Sequence, residues 1–190
     1  DVVNNTIDEA AFLAEWEGHT DPWIDLALRD TPTPENATDT ELEMFYDGAW
    51  SCVSTSDAIM QRFPEYRELR DKNPELLDQN DFLKLKIFFD LAWYDPDFLQ
   101  PGGVVMPDGT TVDLSDLVEP TGKGVYILAQ EPSEEMSNRL IAESYKVMKN
   151  VVGIHKKLML DLDTMEGQIE MATSPFYHPI LPLIYDTDEA

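Results

Sequence analysis

The strongest constraint on the fold is an apolar repeat that begins after Pro132. Apolar side chains recur there at spacings of three and four residues, which is the period of one face of an α-helix. The residues of this face are Leu140, Ile141, Val147, Met148, Val151, Ile154 and Leu158. Gly167 follows as a stop signal, and residues 168–173 have the length and composition of one β-strand. The sequence therefore predicts a long helix, a glycine turn and a strand in its last third.

Shorter helical patterns fill the first two thirds of the chain. Thr6 with Glu9, and Thr38 with Glu41, are candidate capping boxes, in which each side chain accepts a hydrogen bond from the backbone N–H of the other residue. Asp21 opens a turn ahead of another short apolar stretch. These patterns predict a module of short amphipathic helices.

One helix in this module is predicted to be buried on several sides. Its apolar residues, from Phe82 to Trp93, cover most of a helix surface, and the helix should end near Tyr94. Because Trp50 and Trp93 fall at helical spacing in apolar runs, we expect both in the core. Cys52 is the single cysteine, so no internal disulfide can form, and its apolar neighbours predict a buried thiol.

The helical rhythm stops between this buried helix and the long one. Val104–Met106 and Thr110–Val112 flank Pro107–Gly109, which predicts a small β-hairpin around a Pro-Asp-Gly turn. Together the patterns predict a mainly α fold with minor β. We divide it into a helical module over residues 1–132 and a helix, strand and loop over residues 133–190.

The charge balance excludes several kinds of partner. The chain has 38 Asp and Glu against 13 Lys and Arg, for a formal net charge of -25. Such a surface repels phosphate backbones and anionic lipid, which argues against nucleic acid and membrane as partners. The acidic triplet Asp161, Asp163 and Glu166 fails as an EF-hand, because Met165 and Glu166 stand where that loop needs a third oxygen ligand and a glycine. No metal or organic cofactor is predicted, and the chain is expected to be soluble, either cytoplasmic or secreted.

Four stretches form a set: Gly167–Glu170, Pro175–Leu183, Phe88–Pro96 and Arg62–Leu69. In combination they resemble glycoside hydrolase family 57, the family of α-glucan hydrolases, branching enzymes and glucanotransferases. The first matches the family pattern of glycine, any residue, an apolar residue and glutamate on an early strand of a (β/α)7-type barrel. The second resembles the loop after that strand in the amylopullulanase-like members of this family of amylopullulanase and α-amylase-like enzymes. The resemblance covers residues 20–186.

The resemblance implies that Glu170, helped by His178 and Tyr177, holds a sugar near the bond that is cut. From the residues themselves each role has a plain alternative: Glu170 could cap a backbone donor, His178 could hold its loop, and Tyr177 could pack beside proline. The family's opening His-containing strand is expected before residue 1, and its nucleophilic Glu and acid/base Asp beyond residue 190. Retaining glycosidases need two carboxylates about 5 to 5.5 Å apart. No catalytic residue is assigned in this chain, which alone is predicted to be inactive.

Three hypotheses follow from these observations. The first is a segment of a retaining α-glucan hydrolase or glucanotransferase of carbohydrate metabolism, comprising a helical insertion and one barrel helix-strand unit. The second is a non-catalytic acidic helical module that binds carbohydrate or protein, and the third is a structural acidic domain of a larger assembly. We favour the first, with an α-glucan or malto-oligosaccharide and the remainder of the parent enzyme as partners. Self-association is also expected, because the strand over residues 168–173 would have an unpaired edge.

Overall fold

The computed structural model describes residues 21–170, which divide into two compact units after Asn150. The predicted strand over residues 168–173, the first capping box, His178 and Tyr177 lie partly or wholly outside the described residues. Over residues 21–170 the fold is mainly helical with a few short strands, which confirms the predicted class. The (β/α)7-type barrel unit and the division at residue 132 stay predictions.

Residues 21–150 of the first unit contain five short or medium α-helices and the start of a sixth. The α-helices are α1 Pro22–Leu28, α2 Asp39–Leu42, α3 Asp57–Met60, α4 Pro64–Asp71, α5 Gln79–Trp93 and α6 Glu134–Leu158. A π-helical turn, Glu43–Asp47, continues α2, and 3₁₀ turns occupy Cys52–Ser54, Pro74–Leu76, Pro96–Leu99 and Ser115–Leu117. The predicted capping box of α2 is confirmed: Thr38 and Glu41 bind each other's backbone N–H groups.

Helix α5 is the centre of the core, as its nearly all-round apolar pattern predicts. Asp78 caps its first turn and forms a reciprocal capping box with Asp81. Along the helix, Phe82 stacks on Phe45 with ring centroids 4.2 Å apart, and Phe88 stacks on Tyr66 at 5.6 Å. These aromatic pairs join α5 to the π-helical turn and to α4.

Two antiparallel hairpins follow α5. The predicted one pairs β1, Val104–Val105, with β2, Thr111–Val112, around the Pro-Asp-Gly turn. The second pairs β3, Val118–Gly122, with β4, Val125–Leu128, and was not predicted. Pro120 and two polar neighbours interrupt the apolar alternation that would have revealed β3.

The prediction that Trp50 and Trp93 are core residues is wrong. Trp50 is 95% exposed and Trp93 is 63% exposed. The helical period that placed Trp50 inside ends at Asp47, where Gly48 turns to an extended conformation. Trp93 is the last residue of α5 and lies on a face that the core does not cover. Cys52 is buried, as predicted.

None of the helices among residues 21–170 is long and apolar enough to cross a membrane.

Candidate functional site

The sequence-predicted sugar site is represented in the described chain by Glu170. It is exposed, and it follows a place where the backbone near Ile169 pairs with the backbone just after α6. We call this pairing the crossing. Met159 and Ile169 form a parallel bridge, in which the Leu160 N–H donates to the Ile169 carbonyl at 2.7 Å. The Ile169 N–H in turn donates to the Leu158 carbonyl at 3.0 Å. This crossing determines the position of Glu170 relative to the helix end.

Gly167 makes the crossing possible. Its φ is +149°, and a Cβ atom added there would lie 2.5 Å from the Leu160 Cα atom. Since no real Cβ approaches backbone so closely, the first residue of the family pattern has to be glycine.

The acidic triplet beside this crossing forms a turn. Asp161 Oδ1 accepts the Asp163 N–H at 2.8 Å, and the backbone of Asp161 pairs with that of Glu166. Within residues 21–170, no group of three or more His, Cys, Asp and Glu side chains is arranged to hold a metal ion.

A second concave feature lies in the first unit, between the end of α5 and the middle of α6. This interhelical cavity has a volume of about 450 Å³. Its lining residues are Asp90, Trp93, Tyr94, Asp95, Phe98, Ser144, Val147 and Met148. On each helix the lining side chains are three and four residues apart, which places them on one face. Aromatic and aliphatic groups therefore surround a small number of oxygen atoms.

Asp90 is the most unusual group in the interhelical cavity. Its Oδ1 accepts the indole N–H of Trp23 at 2.9 Å, whereas Oδ2 is buried and has no hydrogen-bond partner in the protein. Burial raises the pKa of Asp90 to about 7, although the Trp23 hydrogen bond and the charge of Lys86 act in the opposite direction. Oδ2 is closed to solvent, so the Trp23 N–H is the hydrogen-bond donor that the structure gives this carboxyl group.

Tyr94 connects the two sides of the cavity by hydrogen bonds. Its hydroxyl donates to the Leu140 carbonyl at 2.7 Å and lies 2.8 Å from Ser144 Oγ. Burial raises the pKa of Tyr94 well above its ordinary value, so the hydroxyl stays protonated. Because these bonds join α5 to α6, the width of the cavity is set by the fold.

Other clefts in the first unit are lined by charges that are already paired. Arg139 donates to both carboxyl oxygens of Asp116, at 2.6 and 2.7 Å, beside a cleft of about 220 Å³. Lys84 pairs with Glu65 at 2.5 Å beside another. Paired charges of this kind support the structure and leave little capacity for a ligand.

A sequence model of glycosyl hydrolase family 57 matches residues 20–190. The match spans nearly the whole chain, and the chain belongs to this family. Membership implies glycoside hydrolase or glucanotransferase activity and is consistent with a carbohydrate substrate. No curated protein and no solved structure matches the chain.

Sequence reasoning selected Glu170 as a candidate and did not predict the interhelical cavity. The signal was present in Phe88–Pro96, where Asp90, Trp93 and Tyr94 stand at positions i, i+3 and i+4 of one helix. An acidic residue on the same face as a tryptophan is a poor fit to a buried helix. The prediction that Trp93 belongs to the core concealed that pattern.

Proposed function

We propose that the chain is part of a retaining α-glucan-active glycoside hydrolase or glucanotransferase, and that it supplies sugar-binding groups to the enzyme. Glu170, His178 and Tyr177 bind a glucose unit beside the bond that is cut. The two catalytic carboxylates, which retaining enzymes hold about 5 to 5.5 Å apart, come from the remainder of the parent enzyme. The chain alone is therefore inactive.

The observation that carries this proposal is the family match over the Gly167–Glu170 pattern. The geometry supports it in one respect: Glu170 is exposed at the end of a crossing that requires Gly167. An exposed carboxylate can accept hydrogen bonds from two neighbouring sugar hydroxyls. Tyr177 supplies an aromatic face for the pyranose ring, and His178 a second hydrogen-bonding group.

The first test is the intact mass of the natural gene product compared with the 21.6 kDa of this chain. A much larger product supports the role of the chain as a part of an enzyme. A product of this size contradicts it.

The second test is calorimetric binding of maltohexaose to the chain and to Glu170→Gln. The matched control is Glu166→Gln, an exposed glutamate four residues earlier whose backbone carbonyl, not its side chain, holds the turn. We expect Glu170→Gln to weaken binding about tenfold, which corresponds to the loss of one charge-assisted hydrogen bond, and Glu166→Gln to have no effect. Equal affinity of all three proteins would contradict the role of Glu170.

A further inference from the structure

The interhelical cavity has the size and wall chemistry of a small-molecule site. Its volume of about 450 Å³ falls within the range of about 300 to 1,000 Å³ typical of ligand pockets. Such pockets combine apolar and aromatic walls with a few well-placed polar groups, and this one combines Trp93, Phe98 and Met148 with Asp90 and Asp95. All of its lining residues lie between residues 90 and 148, so it does not include Glu170.

One feature of the wall is costly unless something binds there. The Trp93 indole is 63% exposed and Met148 is 56% exposed, so a large apolar area faces water. A ligand with an apolar face would cover this area.

The charges on the cavity wall select among ligand classes. Two carboxyl groups, Asp90 and Asp95, line it, and no Lys or Arg is among the lining residues. Anionic ligands such as phosphate esters are therefore disfavoured. A pyranose ring presents C–H groups on its faces and hydroxyl donors at its edge, which matches an exposed indole beside the Asp95 carboxyl acceptor.

We propose that the interhelical cavity is a second saccharide-binding site, in which one glucose unit of an α-glucan stacks on Trp93 and donates a hydroxyl hydrogen bond to Asp95. The ligand class rests on the proposed function of the chain, and the site itself rests on the cavity. It does not include the Glu170 group, and it adds affinity for a long chain without taking part in bond cleavage.

The test is ¹⁹F NMR of the full chain labelled with 5-fluorotryptophan. The chain contains four tryptophans, and the substitutions Trp93→Phe and Trp50→Phe assign the two resonances of interest. Trp50 is the matched control, because it is 95% exposed and is not among the residues that line the cavity. Addition of maltohexaose should shift the Trp93 resonance and leave the Trp50 resonance in place.

Affinity is then measured in the Glu170→Gln background, in which binding at the first proposed site is expected to be about tenfold weaker. Trp93→Ala should weaken maltohexaose binding at least tenfold, and Met148→Ala several-fold. Trp50→Ala and Val152→Ala should have no effect, since both residues are exposed outside the lining. Both substituted lining residues are largely exposed, so the variants are expected to fold.

Two results would overturn the proposal. One is a Trp93 resonance that does not move with maltohexaose up to about 10 mM, the weak end of measurable affinity. The other is a shift produced by choline and not by maltohexaose, which would assign the site to an organic cation. Failure of the proposed function can be distinguished from failure of this second site. It would appear as equal maltohexaose affinity of the unsubstituted chain and Glu170→Gln, whether or not the Trp93 resonance shifts.

Discussion

A single buried lysine connects three segments of the first unit. Lys86, on α5, is fully buried, and its Nζ donates to the Arg29 carbonyl, to Thr31 Oγ1 and to Glu134 Oε2 at 2.8 to 3.1 Å. Replacing it with methionine keeps the volume but leaves a partly buried carboxylate and a carbonyl without their donor. We expect Lys86→Met to lower the free energy of unfolding by about 2 to 4 kcal/mol in urea denaturation.

The control for Lys86 is Lys84, two residues earlier on the same helix. Lys84 makes a partly exposed ion pair with Glu65, and such pairs contribute about 0 to 1 kcal/mol. Lys84→Met should therefore be nearly neutral. Equal losses for the two variants would show that the three bonds of Lys86 are not what stabilises this region.

The raised pKa of Asp90 predicts how the free energy of unfolding changes with pH. Burial raises its pKa from 3.8 to about 7, so between these values the folded protein binds more protons than the unfolded chain. Stability then falls as pH rises through this window, by up to about 1.4 kcal/mol per pH unit, and levels off above pH 7. Asp90→Asn removes the titration, and its Oδ1 can still accept the Trp23 N–H.

The measurement is urea unfolding of the unsubstituted chain and Asp90→Asn at pH 4.5, 6 and 7.5. The advantage of Asp90→Asn over the unsubstituted chain should grow by about 2 to 4 kcal/mol across the series. Parallel stability curves would mean that the carboxyl group is solvated in the folded state.

At the scale of an element, α5 depends on its first turn. Asp78 accepts the Asp81 N–H at 2.9 Å, and Asp81 accepts the Asp78 N–H at 3.0 Å and pairs with Lys72. Loss of an N-cap side chain costs about 1 kcal/mol. Asp78→Ala should lower stability by this amount in thermal unfolding, whereas Asp78→Ser keeps a cap oxygen and should recover most of it. An Asp78→Ser variant as unstable as Asp78→Ala would contradict the capping role.

The first hairpin depends on two adjacent glycines for different reasons. Both Gly102 and Gly103 have positive φ angles. A Cβ atom added to Gly103 would lie 2.0 Å from the Val112 carbonyl oxygen, whereas a Cβ atom added to Gly102 would have no atom within 4 Å. Gly102→Ala should cost about 1 to 2 kcal/mol from backbone strain alone. Gly103→Ala should cost about 3 kcal/mol or more, because the β1–β2 pairing must shift. Comparable losses in urea denaturation would show that the hairpin can move without penalty.

At the scale of the whole molecule, the sequence predicts those secondary-structure elements that apolar periodicity, helix-capping residues and turn residues specify locally. The buried helix α5, the long helix α6, the Thr38 cap and the first hairpin are all local patterns, and all are confirmed. Contacts between distant segments carry no local signal. The bond from Lys86 to Glu134 and the bond from Trp23 to Asp90 join residues that are about 50 to 70 positions apart in the chain. The interhelical cavity requires two helices that are also about 50 residues apart.

The net charge of the chain makes its stability sensitive to salt. With 38 acidic and 13 basic residues, like-charge repulsion exceeds attraction in the compact state. Raising the ionic strength from about 0.01 M to 0.15 M shortens the screening length from about 30 Å to about 8 Å and weakens this long-range repulsion more than the short ion pairs. We expect stability to rise by about 1 kcal/mol, seen as an increase of about 2 to 4 °C in the melting temperature.

A charge-reduced variant separates screening from other effects of salt. Glu35, Glu75 and Glu119 are exposed, and changing all three to glutamine lowers the net charge from -25 to -22. This variant should be more stable than the unsubstituted chain at low salt and should gain less from added NaCl, since part of the repulsion has been removed. Sucrose, which strengthens burial without screening charge, should stabilise the two proteins equally. A melting temperature that falls with NaCl would mean that ion pairs such as Arg139–Asp116 outweigh the excess negative charge.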